Sequence, residues 1–212
     1  MERKLITLNI GRPNLHMWKG NTEKSAIAKK GTKEAMLTKN GFIGDFVANH
    51  EFHGGPERAV CLYPYEHYQQ WEREFKKPFQ QPAFGENICV ENMTESDVYI
   101  GDIYTLGEAV IQVSQGRIPC ATISKHNHVD QLLKRVVETG YTGYFFRVIQ
   151  EGTIHEDSCL TLLERTQEKF SVLKGNHLMF HDRKNRKAIE EMLEIEALAK
   201  VWKDKFSKML EN

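Results

Sequence analysis

Four cysteines, Cys61, Cys89, Cys120 and Cys159, are the residues of this chain best suited to covalent or metal chemistry. Their spacing contains no CxxC pair, so neither a dithiol redox motif nor an all-cysteine zinc site is signalled. Three of them lie in or beside apolar runs: Ala59-Val60-Cys61-Leu62-Tyr63, Ile88-Cys89-Val90 and Cys159-Leu160-Thr161-Leu162. These read as small residues packed in strands, where most free cysteines belong. Cys120 differs. In Ser114-Gln115-Gly116-Arg117-Ile118-Pro119-Cys120 an apolar run ends, Gly and Pro force an irregular loop, and the cysteine stands where a short helical turn opens. Unpaired backbone N–H groups and the positive end of a helix dipole favour a thiolate there. Arg117, Lys125 and His126 add positive charge nearby, which is the condition for a nucleophile or a metal ligand. The plainer alternative is an incidental loop cysteine.

Two further loops have chemical character. His53-Gly54-Gly55-Pro56-Glu57-Arg58 leads into a strand; its adjacent glycines let backbone approach a ligand closely, and Arg58 can hold an anion. Phe84-Gly85-Glu86-Asn87 stands at another strand entrance, and Asn87 offers the donor and acceptor that a planar heterocycle needs. Each loop also reads as a simple turn. His50-Glu51-Phe52-His53 falls one residue short of HExxH, and the Gly-Gly-Pro that follows forbids the helix such a metal site requires. Phosphate-loop, dinucleotide-fold and serine-hydrolase signatures are absent.

The elements that must position these loops are short and bounded by turns. Apolar runs at 5–10, 26–28, 35–37, 59–63, 88–90, 103–106, 109–113, 144–149 and 160–163 read as strands. Gly107-Glu108 reads as a tight hairpin turn. Thirteen of the 15 glycines lie between residues 11 and 143. The fold class is therefore mainly β: a closed or partly open barrel over residues 1–165, whose strand-end loops could converge on one mouth. Helices interrupt it at 65–75 and about 130–138, the second with Asp130 as cap and Gly140 as stop. Residues 176–212 contain neither Gly nor Pro. Ile189, Met192 and Leu193 form one helical stripe, and Leu198, Trp202, Phe206 and Met209 form another. With a segment near 170–180, they make residues 166–212 a small three-helix appendage, its stripes packed against the barrel.

Among 212 residues, 29 Lys+Arg balance 29 Asp+Glu, which argues against a broad grip on nucleic acid or an anionic membrane. No apolar run approaches the roughly 18 residues of a membrane span, and the amino-terminal apolar segment is too short for a signal peptide. The expected location is the cytoplasm, with the thiols outside disulfides.

Six ordered motifs together resemble the MOSC family: Gly41-Phe42-Ile43-Gly44-Asp45, His53-Gly54-Gly55-Pro56 with Arg58-Ala59-Val60, Tyr63-Pro64-Tyr65-Glu66-His67-Tyr68, Pro82-Ala83-Phe84-Gly85-Glu86-Asn87, Val98-Tyr99-Ile100-Gly101-Asp102, and Ile111-Gln112-Val113-Ser114-Gln115 through Pro119-Cys120. The resemblance is to its stand-alone bacterial branch, which carries a C-terminal three-helix region. It implies a pyruvate-kinase-barrel-like fold holding a molybdopterin-type molybdenum cofactor, with Cys120 as metal ligand and catalytic residue. It further implies reduction of N-hydroxylated compounds such as hydroxylaminopurines to amines, fed by a separate electron-donating reductase. On this resemblance Arg58, Arg117 and Lys29 are candidates for the pterin phosphate. Asn87 and Gln115 are candidates for polar edges, and His53, Gly54 and Gly55 for the cofactor loop. Gly116 and Thr122 depart from the family pattern, which has proline and lysine there; Lys125 could supply the missing charge. A cofactor or persulfide carrier without turnover is the alternative, and a cofactor-free thiol enzyme using His50, His53 or His126 is a third. Oligomeric state is left open.

Overall fold

The computed structural model describes residues 2–48 and 54–211. The amino-terminal part contains β1 (Glu2–Ile10), β2 (Asn14–Trp18), β3 (Asn21–Ser25), β4 (Lys30–Gly31), β5 (Glu34–Thr38) and β6 (Gly41–Phe42). Next come β7 (Val60–Pro64), helix α1 (Tyr65–Phe75), β8 (Ile88–Val90), β9 (Ile103–Leu106) and β10 (Ala109–Gly116). Helices α2 (Thr122–Asn127) and α3 (Leu132–Thr139) lead to β11 (Tyr144–Gln150), β12 (Gly152–His155) and β13 (Cys159–Glu164). The chain ends in α4 (Val172–Phe180), α5 (Arg186–Leu193) and α6 (Lys200–Leu210).

Seven strands close into a barrel in the order β1-β8-β7-β11-β10-β9-β13 and back to β1. Neighbours in it run antiparallel except β7 and β8, which are parallel because α1 and the segment after it supply the long crossover such a pair needs. Strand alternation builds the interior: Ala109, Ile111 and Val113 of β10 are buried while Val110 and Gln112 are half-buried. The β9–β10 hairpin turns at Gly107-Glu108 as its spacing predicts, with Leu106 opposite Ala109. Gly107 has φ +55°, and a Cβ there would lie 2.8 Å from the Thr153 carbonyl oxygen, so only glycine fits. Strands β5, β6 and β12 form a small separate sheet, and β2 and β3 a lone hairpin.

Some expectations are corrected. Residues 26–28 are not a strand but the turn after β3; Ser25 Oγ accepts from the Ile27 amide and Ile27 O from the Lys29 amide, closing it. Asp130 does not cap α3, which starts from Gln131; Asp130 pairs with Lys19 at 2.7 Å instead. Gly140, with φ +75°, does end that helix. Cys120 precedes α2 by two residues, and its carbonyl accepts from the Ile123 amide.

The terminal helices pack on the barrel as their stripes predict. Ser171 and Asn185 cap α4 and α5, and Leu198, Trp202 and Phe206 are buried in the same apolar cluster as the barrel interior. A Cβ on Gly116 would lie 2.1 Å from Asn176 Oδ1 and 2.9 Å from the Trp202 ring. The missing side chain thus lets α4 and α6 close on the end of β10. Among the described residues, no helix is long and apolar enough to cross a membrane.

Candidate functional site

A cavity of about 530 Å³ opens where six stretches of the chain, most of them loops, meet. Cys120 reaches it on the loop that leaves β10, a loop pinned by the Arg117 amide donating to Gly143 O at 3.0 Å. Arg117 also lines the cavity, and its guanidinium donates to Phe84 O. Gly54 and Gly55, with φ +78° and +90°, also line it. A Cβ on Gly55 would meet nothing within 4 Å, so its backbone is open to approach but closed to most L side chains by conformation. The single turn Pro56–Arg58 then sets Arg58 on the wall. Burial lowers the Arg58 guanidinium from its ordinary value and Glu57 opposes that shift; an arginine remains cationic at neutral pH regardless.

The cavity floor is organised by Asp45. Both of its carboxylate oxygens accept from Lys29 Nζ, while the Gly11 amide donates to Oδ1 at 2.8 Å and Asn87 Nδ2 to Oδ2 at 2.9 Å. The Lys29 and Asp45 side chains are 7% and 12% exposed. Asn87 in turn accepts from the Cys61 amide through Oδ1 and donates to Asn9 O through Nδ2. Its side chain is thus engaged within the protein while still lining the cavity. Lys29 lines it too, but its charge is directed at Asp45.

Two residues missed by sequence reasoning emerge here. Asp45 sits in a quoted motif, yet its role depends on partners 16 and 42 residues away. Cys61, read as a packed strand residue, also borders the cavity; burial pushes its thiol up, against the nearby Arg117 and Lys29 charges. No local signal distinguishes either.

Other candidates lie elsewhere. Gln115 is buried and donates to Gly116 O, away from the cavity lining. Lys125 pairs with Glu23 rather than turning toward Cys120. His126 packs edge-on to His16, with ring centroids 6.3 Å apart. His53 and His50 lie outside the described residues. Among the described residues, no group of three or more His, Cys, Asp or Glu could hold a metal ion by itself.

Chemically, the cavity combines a thiol, two arginines and an accessible glycine backbone with an apolar side formed by Ile43, Phe46 and Val47. It suits an anion-bearing ligand whose soft atom is met by sulfur.

Comparisons with known proteins match two stretches of the chain. Residues 49–161 match the MOSC domain, and residues 171–212 match the YiiM-like, 3-alpha helix domain. The chain is 42% identical over 205 residues to YflK of Bacillus subtilis, covering 96% of this chain and 93% of that protein. To YiiM of Escherichia coli it is 40% identical over 182 residues, covering 84% and 81%. A Gibberella moniliformis protein named Reductase is 34% identical over 173 residues, which are 80% of this chain but 31% of that protein. The crystal structure of YiiM from Geobacillus stearothermophilus superposes with a TM-score of 0.84 at 33% identity, covering 98% of this chain and 99% of that one.

Proposed function

We propose that this chain, which belongs to the MOSC family and carries the YiiM-like three-helix domain, binds a molybdopterin-type molybdenum cofactor and reduces N-hydroxylated compounds to amines. The observation that carries this reading is the convergence of Cys120 and Arg117, from the loop after β10, with Arg58, from the turn before β7, on one cavity of about 530 Å³.

The donor set fits the group. Cys120 sulfur is a soft ligand of the kind molybdenum takes, Arg58 and Arg117 suit the phosphate, and the Gly54-Gly55 backbone leaves room for close approach. Once bound, the cofactor supplies the two-electron couple that N–O cleavage requires. The chain binds and orients: the Asp45 network fixes the floor, and the arginines hold the anionic end. In net terms, the hydroxylamine takes up two electrons and two protons and gives the amine and water. Electrons come from a separate reductase. The fungal relative named Reductase supports the oxidoreductase class, its matched segment being 31% of that protein.

The test is molybdenum and pterin content of wild type beside Cys120→Ala, both made in a host with an intact cofactor pathway, together with reduction of 6-hydroxylaminopurine by a chemical electron donor. Near-equimolar molybdenum and turnover in wild type, both lost or altered in the variant, are expected. Metal-free wild-type protein overturns the proposal. Stoichiometric cofactor without turnover, but with a persulfide on Cys120, would mark a carrier instead.

A further inference from the structure

We infer that the loop of residues 43–48 sets substrate specificity, its Ile43 and Phe46 forming an apolar shelf for the flat aromatic part of an N-hydroxylated substrate. This rests on the reading of the cavity as a reductase site.

Both side chains line the cavity, yet Ile43 is 62% and Phe46 47% exposed. Single exposed apolar residues are ordinary; two in one short loop, lining a cavity that Arg58 and Arg117 also line, are a surface built to be covered. Val47 and Ala48 extend the apolar side. The shelf is held in place before any ligand arrives. The Ile43 amide donates to Met36 O at 2.9 Å, the Asp45 amide to Phe42 O at 3.0 Å, and the Phe46 amide to Gly11 O at 2.8 Å. Between the two apolar residues, Asp45 turns into its network with Lys29, Gly11 and Asn87. The Arg12 guanidinium lies 5.1 Å from the Phe46 ring centroid, a cation–π contact that restrains the ring. A rigid aromatic presented this way loses little entropy on contact.

The chemistry of the substrate completes the argument. An N–OH group is small and polar, and on this reading it must approach the metal that Cys120 would hold. The carbon skeleton that bears it then has the apolar residues of the 43–48 loop to lie along. A purine or aryl ring can stack on or pack against Phe46, whereas a small aliphatic N-hydroxy compound has nothing to place there.

The experiment compares Phe46→Ser and Ile43→Ser with wild type on 6-hydroxylaminopurine and on N-hydroxyurea. The ratio of the two kcat/KM values, purine over urea, is expected to fall about tenfold, through KM for the purine. Leu15→Ser removes a still more exposed apolar residue that lies off the cavity lining, and should leave the ratio alone. A second readout needs no turnover: adenine, the amine product, should bind wild-type protein about tenfold more tightly than Phe46→Ser by calorimetry. An unchanged ratio with equal adenine affinity overturns the shelf. Wild type that reduces neither compound overturns the reductase reading, while the adenine comparison still decides the shelf on its own.

Discussion

Replacing Asp45 by asparagine tests the floor of the cavity. Asp45 receives Lys29 Nζ on both oxygens, and the Lys29 side chain is 7% exposed, so water replaces the carboxylate only poorly when it is removed. The introduced amide would also turn its NH2 group toward either Lys29 and Asn87 Nδ2 or the Gly11 amide, setting donor against donor. Breaking a buried pair from one side costs about 3–5 kcal/mol, and Asp45→Asn is expected in that range. Lys29→Met leaves a carboxylate that still accepts from two neutral donors, the Gly11 amide and Asn87 Nδ2, so its cost should be lower, about 2 kcal/mol. The double variant Lys29→Met/Asp45→Asn removes the orphaned charge altogether. Its destabilisation should fall short of the sum of the singles by about 2–3 kcal/mol, the coupling expected of groups in direct contact. Urea unfolding of the four proteins completes the cycle, and raising the salt concentration should change the coupling little because the pair is shielded from counterions. Additivity within about 0.5 kcal/mol, or an Asp45→Asn cost under about 1 kcal/mol, would refute the reasoning, since it would mean the network holds nothing the fold needs.

Gly116→Ala should destabilise by about 2 kcal/mol or more, because the new Cβ meets Asn176 Oδ1 at 2.1 Å and the buried Trp202 ring at 2.9 Å; Gly31→Ala, whose Cβ meets only Leu8 O at 4.0 Å, is the control in the same urea titration. Burial, with His16 and His128 nearby, holds His126 below its ordinary imidazole value. The unfolded chain therefore protonates first as pH falls, so the stability His126 contributes is complete above about pH 6.5 and is lost as pH drops from there through the folded value. His126→Gln should flatten that part of a Tm-against-pH curve, and an identical slope in both proteins would count against the shift.

The readable parts of this fold are those where one residue's environment is implied by its neighbours in sequence. Strands β8, β9 and β11 announce themselves by apolar runs between turns, and the β9–β10 hairpin by Gly107. The β2–β3 hairpin does not. Leu15 and Met17 are exposed on one face while His16 and Trp18 stack on the other, so apolar and aromatic residues occupy both faces and the alternation is blurred. The site divides in the same way. Cys120, Gly54, Gly55, Arg58 and Arg117 stand out as polar or glycine-rich loop chemistry and all reach the cavity. Asp45 and Cys61 acquire their places from partners far along the chain, and Lys125 loses its expected place to Glu23, 102 residues away. Barrel closure itself depends on β1, which lies ahead of the stretch matching the MOSC domain.

The three terminal helices act on the site from behind. Among the described residues, none from α4, α5 or α6 lines the cavity, so they do not roof it. Instead Ser114, near the end of β10, accepts the Ala199 amide at 3.0 Å through its carbonyl, and its hydroxyl donates to Glu57 O. Glu57 Oε2 accepts the Lys200 amide at 2.8 Å, at the start of α6, where an acidic group is favoured by the helix dipole. Its Oε1 pairs with Arg147 at 3.1 Å. Arg58 is the next residue in the chain, and the loop bearing Arg117 and Cys120 leaves from the same end of β10. One packing event, α6 closing over Gly116, therefore fixes both the arginine turn and the strand end from which the thiol loop starts. A site that must hold an anion and a soft atom at a set separation tolerates little play between those two loops, and the helices remove that play without occupying the space a ligand would need.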